Sequence, residues 1–503
     1  MSADADVVFV NGEVHTLGEP DETYEALAVR DGRVSRLDSD YEVDFSVGVE
    51  TDVVDLGGRV LLPGFVDAHV HFATTGRYRV EADLRDAADR AECVDALREQ
   101  APNSEGWVLG WGFDESTWPD GAPTRADLDA VSETRPVAAV RVDMHTAVLN
   151  GIALERLDAA MPAGDVRENG RIVEGAVDAL YEAIDPSATE MRELLAAAQR
   201  HANARGVTAV HDMVRRSNAP AIYREMAAEG DLSVRVRLNY WADHLDALEE
   251  LGARTNHGSE WVETGAVKTF TDGSLGAGTA KLSEPYADSG GTGQWVVEPD
   301  ELREIVRRAD AAGLQVAAHA IGDEAIEAVL DAYETETPNP GEMRHRIEHA
   351  ELATDAQIER LAELGVVASM QPNFHRWTGA DGLYAARLGA ERRRGTNRFR
   401  EFADAGAHLA FSSDSMPLDP LYGVAFAVDP PTGEALSVTE ALRAYTAGGA
   451  YAGFSEDRRG ALAVGSDADL VALDGSPWEA DELTDIDVAM TVVDGDVVYD
   501  ARP

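Results

Sequence analysis

Two histidines separated by one residue, His69 and His71, are well suited by type and spacing to bind a metal ion. They follow the apolar run VLLPGFVDA, which predicts a β-strand. In a strand, side chains two residues apart point to the same side, so both imidazoles can reach one ion. A His-x-His pair alone is a weak signal, because histidines are common in polar loops. The strength of this candidate metal site therefore depends on the elements that position it.

The middle of the chain alternates short apolar strands with amphipathic helical stretches, a pattern typical of a (β/α)8 TIM barrel in the α/β class. Helical stretches such as ELREIVRRADAAG end at a glycine, as expected for a helix terminus. The eight predicted strands lie near residues 60–66, 207–212, 235–240, 265–271, 314–319, 344–349, 365–371 and 408–413. The histidine pair then lies at the carboxyl end of strand one, where barrel enzymes place catalytic groups.

Both ends of the chain have a different pattern, in which short alternating strands are separated by hairpin turns such as Asn11-Gly12 and Asp494-Gly495. Each end alone is too short to build a stable core. We therefore expect residues 1–62 plus 452–503 to form one small composite β-sandwich domain around a barrel spanning 63–451. The first gap between barrel strands is too long for one helix and predicts an insertion subdomain at 76–205, with its own strands near 106–113 and 136–143.

The string PGFVDAHVHF resembles the first-strand metal motif of the amidohydrolase superfamily. The strings KTFTDGSLG, HAIGDEA, RIEHAEL and SSDSMPL resemble amidohydrolase family 3, in the branch that includes N-substituted formamide deformylase-like proteins. This resemblance covers essentially the whole chain, including the terminal β segments and the insertion. It implies a metal site at the carboxyl ends of the barrel strands, with the ligands His69, His71, Lys268, His319, His349 and Asp414.

Lysine composition supports the implied role of Lys268. The chain has only two lysines, Lys268 and Lys281, among 43 basic residues, so a lysine would rarely fall on one prescribed position by chance. A lysine amine can take up carbon dioxide and become a carbamate that bridges two metals, whereas a guanidinium stays protonated and cannot. Lys281 has no comparable sequence context and is interpreted as a loop or surface residue.

The resemblance assigns His69, His71 and Asp414 to one ion, His319 and His349 to a second, and carbamylated Lys268 to both. Two zinc ions are expected, with manganese or iron as alternatives. Asp414 is the expected catalytic residue, which accepts a proton from a metal-activated water and passes it to the leaving nitrogen. The expected reaction is hydrolysis of a carbon–nitrogen bond other than a peptide bond, in an amide, formamide or cyclic amide.

Four further residues are candidates for substrate binding: His145, Trp111, Gln371 and His211. His145 and Trp111 lie in the predicted insertion, and Gln371 and His211 end predicted strands seven and two. Each also has an ordinary structural interpretation, such as packing of the insertion for Trp111. His345, four residues before His349, is interpreted as a core histidine rather than a ligand.

Three alternative functions stay open. A lactone or organophosphate esterase would share the complete binuclear site. A mononuclear deaminase would use a similar histidine set, but it usually carries His-x-x-Glu on strand five, and here Gly322 stands three residues after His319. A non-catalytic scaffold or regulatory protein on the same fold predicts lost ligands, whereas every implied ligand is present.

The overall charge is strongly negative, with 93 acidic and 43 basic residues and a net charge of −50. Binding to nucleic acid or to an anionic membrane is therefore not expected, and the expected partner is a small-molecule substrate. The acids are spread along the whole chain, which is typical of proteins from a salt-saturated cytoplasm. The single cysteine, Cys93, and an N-terminus without a signal-peptide pattern favour a cytoplasmic location. A homodimer is compatible with the sequence.

Overall fold

The barrel is the central sheet of the computed structural model, which describes residues 4–142, 144–414 and 417–502. Its eight parallel strands are hydrogen-bonded in chain order. Strands one to eight are Phe65–Val70, Val207–Val214, Arg235–Trp241, Val262–Phe270, Val316–Ala320, Arg346–His349, Val367–Met370 and His408–Phe411. A parallel bridge between Val70 and Asp414 joins the segment after strand eight to strand one. The predicted TIM barrel is thus confirmed.

Helices follow the barrel strands and cover the sheet. They are Ala219–Glu229, Leu245–Glu250, Pro299–Ala311, Asp323–Glu336, Asp355–Glu363, Leu383–Arg392, Phe399–Asp404, Pro420–Val428, Val438–Arg443 and Gly449–Ala452. Local sequence explains their ends. Thr354 and Gln357 form a capping box at the start of Asp355–Glu363, and Gly230 ends Ala219–Glu229 in the left-handed conformation. No helix in these described ranges is long and apolar enough to cross a membrane.

Two additional sheets are built from strands near the two ends of the chain. A four-stranded sheet contains Val7–Val10, Ala26–Arg30, Arg33–Asp38 and Asp52–Asp55. A six-stranded sheet combines strands from both ends of the chain, namely Glu13–His15, Thr23–Tyr24, Val60–Pro63, Leu470–Leu473, Val488–Val493 and Asp496–Asp500. One apolar core contains residues of both sheets, among them Phe9, Leu27, Leu61 and Met490. The short helix Asp40–Val43 follows the strand Arg33–Asp38 in the chain.

One strand prediction was wrong. Residues 60–66 were expected to form barrel strand one, but Val60–Pro63 belongs to the six-stranded sheet and barrel strand one begins at Phe65. The chain changes sheets at Pro63-Gly64, where proline has no N–H to donate. Glycine is required next, because a Cβ on Gly64 would lie 2.2 Å from the Thr208 methyl carbon. The apolar run VLLPGFVDA is continuous across this change and does not reveal it.

Residues 73–198 form a separate compact unit, while the predicted insertion bounds are 76–205. A five-stranded sheet in this unit contains Ala82–Asp83, Val108–Phe113, Val137–Arg141, Thr146–Leu149 and Arg171–Val173. Its helices include Arg90–Gln100, Arg125–Asp129, Gly151–Leu157 and Gly175–Ala183, and helices Phe72–Val80 and Ala188–Asn203 connect it to the rest of the chain. Asp143 of the second predicted strand, and Ser415 and Met416 of the motif SSDSMPL, lie outside the described residues.

Candidate metal centre

Three of the predicted ligands converge at the carboxyl ends of strands one and eight. The Nε2 atoms of His69 and His71 lie 3.4 and 3.5 Å from the same Oδ1 atom of Asp414. One ligand atom from each of the three residues lies within 4.8 Å of the others. Two imidazoles and a carboxylate at this separation can coordinate one divalent ion.

Barrel closure positions this group. The Asp414 amide donates to the His69 carbonyl at 2.7 Å, and the His71 amide donates to the Asp414 carbonyl at 3.3 Å. Asp414 has a φ of +57°, which is uncommon for a residue with a side chain. The buried Asp67 carboxylate accepts hydrogen bonds from the amides of both His69 and Ser413, so it ties the two strand ends together. Asp67 was not recognised as important from the sequence.

Lys268 lies on strand four and is 1% exposed. Its Nζ has no hydrogen-bond partner among the described residues, and it lies 5.2 Å from the centre of the Phe270 ring. Burial lowers the pKa of Lys268 to about 8, with Arg346 adding to the effect and Glu348 and Asp414 opposing it. An amine that is readily deprotonated and unpaired suits carbamate formation, which requires the neutral form. The orphaned Nζ therefore fits a group that is added to this lysine.

His319 and His349 lie on neighbouring strands five and six, and their ring centres are 4.6 Å apart. His349 is also 5.1 Å from the His69 ring and has a φ of +75°. The Nε2 atom of His319 lies 3.0 Å from the Gly273 carbonyl oxygen. The structure thus brings both histidines beside the first group, although their ligand atoms are not part of the cluster formed by His69, His71 and Asp414.

The imidazoles are kept neutral by their surroundings. Burial, together with nearby Lys268, lowers the pKa of His71 to about 4 and that of His319 to about 3. Burial likewise holds the pKa of His69 and of His349 well below the usual 6.5. Only a neutral imidazole offers a lone pair to a metal, so these histidines are in the protonation state that ligation needs.

Buried partners fix the orientation of two rings. Nδ1 of His69 donates to Glu348 at 2.6 Å, and Glu348 forms an ion pair with Arg346 at 2.8 Å. Nδ1 of His349 donates to the Gln371 side-chain oxygen at 2.7 Å. Both contacts leave Nε2 available for a ligand. Glu348 and Arg346 were missed by the sequence analysis, although two charged residues inside the strand RIEH are a signal that could have identified them.

The four substrate-binding candidates are divided between the two compact units, with Gln371 and His211 in the unit that contains the barrel. Gln371 is buried, and besides accepting from His349 it donates to Ser412 at 3.0 Å. His211 is buried inside the barrel and accepts a hydrogen bond from Arg346 at 2.9 Å. Trp111 and His145 lie in the 73–198 unit, where Trp111 is buried and donates to Glu81, and His145 is exposed with Glu174 at 3.9 Å. Substrate contact by these residues stays a prediction.

Similarity to known proteins over nearly the whole chain identifies the protein family. Residues 52–499 match the model of the amidohydrolase family, so this chain belongs to that family and the predicted resemblance is confirmed. The chain is 31% identical to Protein LONG AFTER FAR-RED 3 of Arabidopsis thaliana, over 98% of this chain and 92% of that protein. It is 26% identical to the N-substituted formamide deformylase of Arthrobacter pascens, over 99% of each.

The fold is also similar to that of a solved structure. The crystal structure of a metal-dependent hydrolase from Pyrococcus furiosus superimposes with a TM-score of 0.81 and 32% identity. The alignment covers 94% of this chain and 100% of that one. The family and this neighbour together support a hydrolase.

Proposed function

We propose that the protein is a metal-dependent hydrolase of carbon–nitrogen bonds other than peptide bonds, acting on amides, formamides or cyclic amides. The observation that carries this proposal is the cluster of His69, His71 and Asp414 beside the buried Nζ of Lys268, for which the described residues offer no hydrogen-bond partner. The names of two similar proteins, an N-substituted formamide deformylase and a metal-dependent hydrolase, support the same class.

The residues present fit two divalent ions, with zinc as the expected metal and manganese or iron as alternatives. His69, His71 and Asp414 would hold one ion, His319 and His349 the other, and carbamylated Lys268 both. Bound metals supply Lewis-acid polarisation of the substrate carbonyl and lower the pKa of water. Asp414 would accept the proton of the attacking water and deliver it to the leaving nitrogen. Glu348 and Gln371 hold the rings of His69 and His349 in place.

The decisive variant is Lys268→Ala, because this lysine is assigned to both ions. We expect it to lose at least one metal equivalent and roughly 10³-fold or more in kcat, the scale of losing a major electrostatic contact to the transition state. Lys268→Arg should be equally damaging, since guanidinium cannot form a carbamate. Metal content by mass spectrometry and turnover on a panel of amides, formamides and lactones measure both effects.

Lys281 provides the matched control. It is the other lysine of the chain and forms an ion pair with Glu324 at 2.9 Å. Lys281→Ala should keep both metal and activity. Full metal occupancy and full activity in Lys268→Ala would refute the binuclear site. Wild-type protein that retains no metal after dialysis would favour a scaffold, and activity on lactones alone would favour an esterase.

We also propose that the protein is cytoplasmic and that it is adapted to a high salt concentration. Surface arginines are shared among several acids, as where Arg360 contacts Glu327, Asp331 and Glu334, so the excess negative charge persists after pairing. Screening reduces the repulsion among these acids. We expect the Tm to rise with potassium chloride toward molar concentration. A Tm that is unchanged between dilute buffer and molar salt would refute this adaptation.

A further inference from the structure

A small cavity lies among polar side chains at the amino-terminal ends of the barrel strands, opposite to the candidate metal centre. It has a volume of about 20 Å³. Val66 and Ala209 contribute apolar surface, while the polar lining includes His211, Arg237 and Arg459. This volume exceeds the roughly 10–15 Å³ that a single water-sized occupant requires.

Arg237 has unused hydrogen-bond donors at this cavity. Arg237 is 4% exposed, and its Nη1 donates to the Gly453 carbonyl at 2.8 Å and lies 3.3 Å from Glu263. Its Nε and Nη2 atoms have no partner within the described part of the chain. Buried donors without an acceptor cost free energy and are rare in folded proteins. An acceptor in the cavity would satisfy them.

His211 adds a further donor. Arg346 donates to Nδ1 of His211 at 2.9 Å, and because a guanidinium cannot accept, the proton of the neutral imidazole must lie on Nε2. Nε2 is directed towards Gly453 at the cavity wall, where a Cβ would lie 2.9 Å from it. The cavity therefore has N–H groups of Arg237 and His211 on its lining.

Three arginines, Arg235, Arg237 and Arg459, line the cavity. Burial lowers the pKa of Arg237 to about 10; the charge of Glu263 opposes this effect, and the smaller contributions of Arg346, Arg344 and Arg459 add to it. Guanidinium groups stay protonated in proteins, so Arg237 keeps its positive charge at the cavity, with Glu263 as its ion-pair partner at 3.3 Å. Glu260, the other carboxylate on the lining, instead pairs with Arg458 at 2.7 Å.

We propose that this cavity is a binding site for a small monovalent anion of the size of chloride. Such an ion accepts hydrogen bonds without donating any, so it suits a site with several donors better than water does. It would also offset the charge of Arg237 inside the protein, where opposite charges interact strongly. This site is separate from the proposed catalytic site and does not depend on the proposed function.

Diffraction from wild-type crystals grown in potassium bromide gives the direct test. We expect an anomalous bromide peak in the cavity, in contact with Nε or Nη2 of Arg237 and with Nε2 of His211. A cavity that holds only water, without anomalous signal at saturating bromide, would overturn the proposal.

Thermal unfolding tests the site in solution. With potassium and ionic strength held constant, chloride replaces gluconate, which is too bulky for the cavity. Ligand binding to the folded state should raise the Tm by about 2–4 °C as the site fills. Arg237→Met should abolish this rise. Arg393→Met should retain it, because Arg393 is a buried arginine that donates to the Thr378 carbonyl at 2.6 Å and does not line the cavity.

Gly453→Ala is a second test that keeps every arginine. The added methyl group would occupy the space beside His211 Nε2, so the chloride response should again be lost. An equal rise in Tm for wild type, Arg237→Met and Gly453→Ala would show that the anion acts elsewhere, and the proposal would fail.

Discussion

The two ends of the barrel both bury polar side chains, but they satisfy them in different ways. At the carboxyl end, Lys268 is buried without a partner among the residues that the structure describes. His71 and Asp414 remain partly exposed, with 36% and 21% of their side chains accessible. The backbone is left-handed at both His349 and Asp414. Unused ligand atoms and an uncommon backbone conformation occur together here.

At the amino end, Asp467 and Asp469 are matched by direct ion pairs, although Nε and Nη2 of Arg237 have no hydrogen-bond partner among the described residues. Asp467 contacts Arg33, Arg458 and Arg459 at 2.9, 3.0 and 2.8 Å. Arg235 holds both oxygens of Asp469 at 2.7 and 3.1 Å. Buried charge is therefore a feature of both ends and does not by itself identify a catalytic site. The catalytic candidate is distinguished by a cluster of imidazole and carboxylate atoms that can bind a metal ion.

Among Asp414→Asn, Asp467→Asn and Glu348→Gln, the Asp414 variant should have the largest effect on turnover. Asparagine keeps the shape and an oxygen ligand but removes the base, so kcat should fall about 10²–10⁴-fold while metal content is retained. Metal analysis and kcat are measured on the same preparation. Asp404→Asn, on a surface helix, is the control and should be unaffected. Loss of metal together with activity would mean that Asp414 is only a ligand, and near-normal turnover would remove it from the mechanism.

Asp467→Asn should instead destabilise the fold and leave the chemistry intact. Removing one partner of a buried ion-pair network costs about 3 kcal/mol of unfolding free energy, which urea denaturation measures. Glu334→Gln removes an exposed partner of Arg360 and should cost less than about 1 kcal/mol. A kcat reduced as strongly as in Asp414→Asn would contradict the separation between the two ends.

The contribution of Asp467 to the free energy of unfolding should depend on pH. Burial raises the pKa of Asp467, but Arg459, Arg235 and Arg458 outweigh it and hold the pKa below the usual 3.8. The stability from ionised Asp467 is therefore complete above pH 3.8 and is lost as the pH falls through the lower folded-state pKa. Asp467→Asn should lack this part of the acid-induced loss.

Glu348→Gln should have the smallest of the three effects, because Glu348 acts on His69 rather than on the metal. Loss of a partner that orients a ligand typically weakens metal affinity about 10–100-fold. Competition with a chelator measures the affinity, and kcat at saturating metal should recover. Glu263→Gln, which alters a carboxylate beside Arg237 at the amino end, is the control. Unchanged metal affinity in Glu348→Gln would show that the 2.6 Å contact with His69 is only structural.

The sequence alone determined the barrel and the order of its strands, because apolar periodicity and glycine-terminated helices are local properties. The ligand candidates came from the family resemblance and stay predictions, with the low lysine content supporting Lys268. The motif around His69 and His71 then placed the candidate centre on strand one. Nothing local indicated that Val60–Pro63 leaves the barrel, since apolar residues suit both sheets equally well.

Only the tertiary structure decided which residues support that centre. Glu348 meets His69 across 279 positions of sequence, and Asp67 meets Ser413 across 346. The arginines at the amino end likewise pair with acids that are distant in the sequence, as Arg235 pairs with Asp469. Such pairs depend on which strands the closed barrel brings together and on the low dielectric of its interior, and neither is encoded in the spacing of residues along the chain.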